Sequence, residues 1–202
     1  NAHPNAQDEL RLIVQHLIDR NYRAEIDATL PFHQQVLELA RLFRGRLTAL
    51  VANWMRVGYC QGNFNSDNCA AGGYTLDYGP FGFCELFDPR FQPWTGGGAH
   101  FSFFNQPAAA EANYRMFWRS LRTLLEVDDA GQRELDQLNE GFAVAMQQQL
   151  EAMWASKLAL PAYDETLVTE LLQLLVAAKA DYTKAFRLLS SIPDHVAELH
   201  PS

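Results

Sequence analysis

Apolar residues return every three or four positions along most of this chain, with one long interruption. From Glu9 to Tyr22, Leu10, Ile13, Val14, Leu17 and Ile18 recur at helical spacing, and Asp8 stands where it caps the first turn. Pro31 opens a longer helix, since a proline at the first helical position gives up no hydrogen bond. Phe32, Val36, Leu39, Ala40, Phe43, Leu47, Leu50, Val51 and Trp54 carry its stripe to Gly58. After Pro107 the helical period resumes from Ala108 to Leu125, with Ala112, Met116, Leu121 and Leu124 beside Tyr114, Phe117 and Trp118. A break is expected over Asp128–Gly131, then one helical block from Glu134 to Leu158, another from Asp164 to Val176 and a short last one from Asp181 to Leu189, ended by Pro193.

Residues 58–106 lack this period. Glycine is dense, polar residues cluster from Gln61 to Asn68, and Pro80, Pro89, Pro93 and the run Gly96, Gly97, Gly98 exclude long regular elements. Tyr74, Thr75 and Leu76 predict a brief strand running into Asp77, with Asn68 and Asp77 on the two sides of a hairpin. A segment this irregular is costly to order, and such segments are usually kept for a site. The expected fold is mainly α with a small β element (α+β): helices over 9–57, site loops over 58–106 and a helical bundle over 107–192.

Composition narrows the chemistry. The 202 residues suit one compact unit with a core of its own. With 16 Lys+Arg against 24 Asp+Glu, the formal charge of −8 repels nucleic acid and anionic membrane. No apolar run reaches the roughly 20 residues needed to span a bilayer. Cys60, Cys69 and Cys84 are odd in number and lack CxxC spacing, which fits a reducing compartment. The chain begins at Asn1 and its first methionine is Met55, so it reads as part of a longer product.

The candidate chemistry lies in Gly62-Asn63-Phe64-Asn65-Ser66-Asp67-Asn68 and, nine residues on, Asp77-Tyr78-Gly79. Asn68 and Asp77 are hard oxygen donors suited to Mg²⁺ or Mn²⁺, and Asp67 adds a second carboxylate. The same residue types also build ordinary turns, the simpler role for Asn63, Asn65 and Ser66. The spacing matches a protein-kinase-like core, in which the Asn closing the catalytic loop and the Asp of a following Asp-Phe-Gly share the metal that carries nucleotide phosphates. One departure matters: five positions before Asn68 stands Asn63, where a kinase has the carboxylate that faces its substrate.

Those strings, with Leu76-Asp77-Tyr78-Gly79-Pro80-Phe81-Gly82-Phe83, Phe87-Asp88-Pro89 and Asn105-Gln106-Pro107, closely resemble the selenoprotein O family, also called YdiU. The resemblance implies a protein-kinase-like C-lobe and an Mg²⁺-dependent protein adenylyltransferase that moves AMP from ATP to Ser, Thr or Tyr hydroxyls of proteins. It places the metal ligands at Asn68 and Asp77 and the active-site carboxylate, base or substrate-orienting group, at Asp67. Asp181-Tyr182-Thr183 with Phe186-Arg187 resembles a helical signature of the family and is expected to pack, not to react. The family's Gly-rich nucleotide loop, its N-lobe lysine and that lysine's acidic partner lie upstream of the matched region. The only lysines here, Lys157, Lys179 and Lys184, all follow the site. The N-lobe is therefore an expected partner, and the 202 residues alone are expected to transfer AMP weakly or not at all. The resemblance implies a cytoplasmic protein in a bacterium and allows a mitochondrial one in a eukaryote.

Two other readings stay open: a true kinase in which Asp67 replaces the missing base, and a catalytically silent protein-binding module. Among the remaining residues, Asp88 is expected to form an Asx turn, and Trp94 with Gly96–Gly98 to shape a loop near the site. His33 and His100 lack the spacing of metal ligands. The three cysteines are expected to be small core residues, with a redox-sensitive contact as the minor reading.

Overall fold

In the computed structural model, which describes residues 5–125 and 129–191, the fold is mainly helical with one small, unclosed two-stranded sheet. Asp128 and Pro193 lie outside the described residues, but Asp129–Gly131, expected to continue the break begun at Asp128, already form the first turn of a helix. The helices are α1 (Ala6–Leu17), α2 (Phe32–Val57), α3 (Gln106–Thr123), α4 (Asp129–Glu140), α5 (Phe142–Lys157), α6 (Glu165–Ala177) and α7 (Tyr182–Leu189). The strands are β1 (Tyr59–Gln61) and β2 (Phe81–Phe83), and short 3₁₀ turns occur at Ser66–Asn68, Ala99–Phe101 and Phe103–Asn105.

The long α2 is the axis of the molecule, packing against α3, α4 and α5. Val36, Leu39, Ala40, Phe43, Leu47 and Val51 are almost fully buried along its stripe, and each Leu- or Phe-sized side chain there contributes roughly 1.5–3 kcal/mol over remaining exposed. Pro31, expected at the first helical position, is instead the residue before it, with extended ψ; its carbonyl accepts from the Gln34 and Gln35 amides. Gly58 ends α2 in the left-handed region at φ 78°, a conformation that costs a β-carbon-bearing residue energy, and β1 starts at the next residue.

Four further sequence expectations change. Asp8 lies inside the first turn of α1, which starts at Ala6 after Asn5, so it complements the positive end of the helix dipole without capping. Ile13 is exposed, because the buried row runs Val14, Ile18, Tyr22 at intervals of four and the helix widens into a π turn over Ile18–Tyr22 to keep it inward. The block expected over Glu134–Leu158 is two helices, α4 and α5, separated at Gly141 where the Arg44 guanidinium enters to bond the Leu138 carbonyl at 3.2 Å. Tyr74–Leu76 is not a strand: only Thr75 pairs, as an isolated bridge with Cys69, while its hydroxyl accepts from Trp54 Nε1 at 2.9 Å. The true strands lie on either side of the whole 62–80 connection.

The last helix is tied to the site region by backbone pairing. Tyr182 N–H donates to Glu85 O and Phe87 N–H to Ala180 O, both at 2.8 Å. Tyr182 is buried, stacks on Phe87 and donates its hydroxyl to Met55 O at 2.8 Å, so the helical signature near the end of the chain does pack.

Candidate functional site

The site is built on the connection between β1 and β2. These strands pair antiparallel, with Cys60 opposite Gly82, and the ladder continues through Gly62 N–H to Pro80 O at 2.7 Å. Gly62 is obligatory here, since a β-carbon would stand 2.4 Å from Pro80 O. Beyond it, the Cys69–Thr75 bridge folds the chain back, so the segment leaving Asn68 runs alongside the one entering Asp77. Asn68 and Asp77 thus stand on the two arms of a fold-back closed by a single bridge, as the spacing led one to expect, although Tyr74–Leu76 is not a strand.

Each candidate ligand is oriented by a local bond. Asn68 Nδ2 donates to Asn63 O at 2.8 Å, while its Oδ1, the end a hard cation takes, accepts no hydrogen bond among the described residues. Asn63, five positions before Asn68, enters this contact through its main-chain carbonyl. Asp77 Oδ1 accepts from Gly79 N–H at 2.9 Å in an Asx turn, leaving Oδ2 available. Both residues are partly buried, whereas Asp67 is exposed and its carboxylate has no hydrogen-bond partner among the described residues. Two oxygen ligands with a nearby carboxylate fit a magnesium-type ion, which keeps several ligands from water and substrate phosphate. No group of three or more His, Cys, Asp or Glu side chains that could hold a metal occurs among the described residues.

Two glutamines hold this arrangement in place, and residue type alone did not single them out. In the antiparallel pair the backbone groups of Tyr59 and Gln61 point away from β2. The fully buried Gln106 side chain takes the place of a third strand there: its Oε1 accepts from Gln61 N–H at 2.9 Å, and its Nε2 donates to Tyr59 O at 3.0 Å and to Phe103 O at 3.1 Å. Gln61, equally buried, donates Nε2 to Asp77 O at 2.9 Å and accepts the Tyr59 hydroxyl. The available signal was a glutamine one residue before a helix-starting proline, with another inside a short strand. Burial, aided by the Tyr78 and Asp77 charges, pushes the Tyr59 phenol up to about 12, so it remains a neutral donor in this network.

The far end of the connection is clamped from the first helices. Tyr22, delivered by the π turn, donates its hydroxyl to Ala71 O at 2.6 Å, and Arg46 donates to Gly72 O at 3.1 Å while pairing with Glu25. On the other side, the Gln92–Gly98 loop abuts Gly62, with Gln92 Nε2 bonded to Gly98 O at 3.2 Å. No lysine joins the three glycines, so they form a turn beside the site without the make-up of a phosphate loop. Asp88 accepts from Arg90 N–H at 2.8 Å, the expected Asx turn. Burial pushes the Cys60 and Cys69 thiols up to about 12 and also raises that of Cys84, which makes all three poor nucleophiles.

A family model described as Protein adenylyltransferase SelO matches residues 2–199. The chain is 33% identical over 209 residues to the Protein nucleotidyltransferase YdiU of Burkholderia multivorans, covering 96% of this chain and 39% of that protein. It is 33% identical over 193 residues to the protein of the same name in Bordetella pertussis (90% and 38%), and 35% over 186 residues to that of Rhodopseudomonas palustris (90% and 37%). The chain thus spans about two fifths of the length of these relatives.

Proposed function

The chain belongs to the SelO family of protein adenylyltransferases, and from that membership we propose that it forms the kinase-like C-lobe of an enzyme that transfers AMP from ATP to Ser, Thr or Tyr hydroxyls of proteins. The observation that carries the reading is the paired orientation of Asn68 and Asp77, each fixed by one local hydrogen bond, beside the unpartnered carboxylate of Asp67. Asn68 and Asp77 would hold Mg²⁺ or Mn²⁺, which when bound offsets charge on the nucleotide phosphates. Asp67 takes the proton of the acceptor hydroxyl as its oxygen bonds to the α-phosphorus and the bond to the bridging oxygen breaks, releasing pyrophosphate. Gln61 and Gln106 keep the two ligand segments in register.

ATP and the N-lobe are partners in this reading. Strand β2 presents Phe81 and Phe83 to solvent, and the exposed Tyr78 packs edge-on to Phe81, an apolar face that supports docking of the remaining lobe. Without that lobe, phosphate positioning is lost, and misplacement of about 1 Å can cost roughly a hundredfold in rate, so these 202 residues alone transfer AMP weakly or not at all. No helix among the described residues is long and apolar enough to cross a membrane. The test supplies the protein carrying this chain and an acceptor protein with ATP labelled at the α- or the γ-phosphate. Label from α but not γ supports AMP transfer; label from γ alone indicates a kinase; label from neither, with nucleotide bound, indicates a binding module.

A further inference from the structure

Two cavities, of about 370 and 330 Å³, open side by side along α3 and share Ser66, Asn113 and Met116 as a common wall. They form one groove, and Ser66 stands immediately before Asp67 in the same 3₁₀ turn. The floor is a single row of exposed helix positions four apart, Ala108, Ala112, Met116 and Ser120. Twelve residues of helix rise about 18 Å. That length matches about five residues of extended chain at roughly 3.3 Å each. The 62–68 loop separates this groove from the β1–β2 side, where Gly62 meets Pro80 and Gln61 holds Asp77.

The lining indicates what the groove accepts. Among the described residues no Asp, Glu, Lys or Arg side chain lines either cavity, and His100 at one wall of the first is the one basic side chain in the lining, which disfavours the phosphates of a nucleotide. Phe64, Phe101, the two alanines and Met116 give it an apolar surface. Asn65, also on the wall, has an Oδ1 that is buried and finds no hydrogen-bond donor among the described residues. Asn113 is locked by donating to Phe64 O at 2.9 Å, so the wall is preformed.

We infer that this groove seats the acceptor polypeptide as an extended segment, with an uncharged apolar side chain next to the modified hydroxyl residue entering the cavity over Ala108 and Ala112. The inference rests on the AMP-transfer reading for its chemistry, but the groove's preference for an apolar neighbour can be measured by binding alone.

The test uses the protein carrying this chain and pentapeptides Gly-Xaa-Ser-Xaa-Gly with Xaa as Leu, Asp or Lys. Binding is read from the methyl resonances of Met116 and Ala112, and transfer from α-labelled ATP. The Leu peptide is expected to shift both methyls and to be preferred about tenfold or more, the scale set by burying a leucine-sized side chain. Met116→Asp, at a half-exposed position that the core does not need, is expected to abolish that preference through KM and to improve use of the Lys peptide, with ATP binding unchanged. Binding of the Leu peptide without AMP transfer would sustain the groove and count against the catalytic reading. Transfer with the same peptide preference in Met116→Asp, or no methyl response to any peptide, would overturn the groove and leave the catalytic reading standing.

Discussion

Replacing Gln106 by leucine removes the side chain that completes the free edge of β1. The volume is nearly kept, but Gln61 N–H loses its acceptor, and the Tyr59 and Phe103 carbonyls lose their donor, at a position of zero solvent exposure. An orphaned buried backbone group costs about 1–3 kcal/mol. With some relief by water, the three together give about 3–5 kcal/mol. Urea unfolding of the protein carrying this chain measures the loss, and hydrogen exchange at the Gln61 amide localises it. Gln106→Glu is the control: it keeps an acceptor for Gln61 N–H but turns a buried carboxylate toward two carbonyls, so it should destabilise at least as much at neutral pH. A Gln106→Leu protein within about 0.5 kcal/mol of the parent, with the Gln61 amide still protected, would refute the idea that this side chain substitutes for a strand.

Gln61→Leu should act on the site through position: it frees the Asp77 carbonyl and leaves the Tyr59 hydroxyl without an acceptor, so the Mg²⁺ needed for half-maximal AMP transfer should rise while acceptor KM stays near that of the parent. Equal magnesium dependence in both proteins would contradict this. Gly62→Ala forces a methyl against Pro80 O and should cost about 2 kcal/mol or more of stability, read by chemical denaturation; a neutral result would show that the connection can shift freely. At pH 8 the thiols of Cys60 and Cys69, with values near 12, are about 10⁻⁴ ionised, so a disulfide reagent should react with them only after denaturation. The sign for stability follows: these folded-state values lie above the ordinary 9.0, so their contribution is complete below about pH 9 and is lost as pH rises toward 12, visible as a falling unfolding temperature.

The sequence made the helices legible where an apolar stripe ran uninterrupted, as in α2, whose expected buried positions are buried almost throughout. It failed where one residue's geometry overrides the period. Nothing in the apolar pattern of residues 9–22 announces a π turn, because Ile13 and Val14 are equally apolar and only packing of Tyr22 against the 71–72 turn selects the row. Glu134–Leu158 read as one block because Gly141 is tolerated in a helix, and the intruding Arg44 comes from far upstream. At the site, Asp67, Asn68 and Asp77 were readable as types at a spacing. The glutamines that position them were not, since a buried Gln replacing a strand leaves no local periodic trace.

The most direct measurement is the intact mass of an acceptor protein after incubation with ATP, Mg²⁺ and the protein carrying this chain, beside its Asp67→Ala and Asp77→Ala variants. The account predicts a gain of one adenylyl group on a hydroxyl residue, present with the parent and lost by two or more orders of magnitude in both variants, while each variant keeps its fold. A gain of a phosphoryl group, or adenylylation that survives Asp77→Ala, would contradict it.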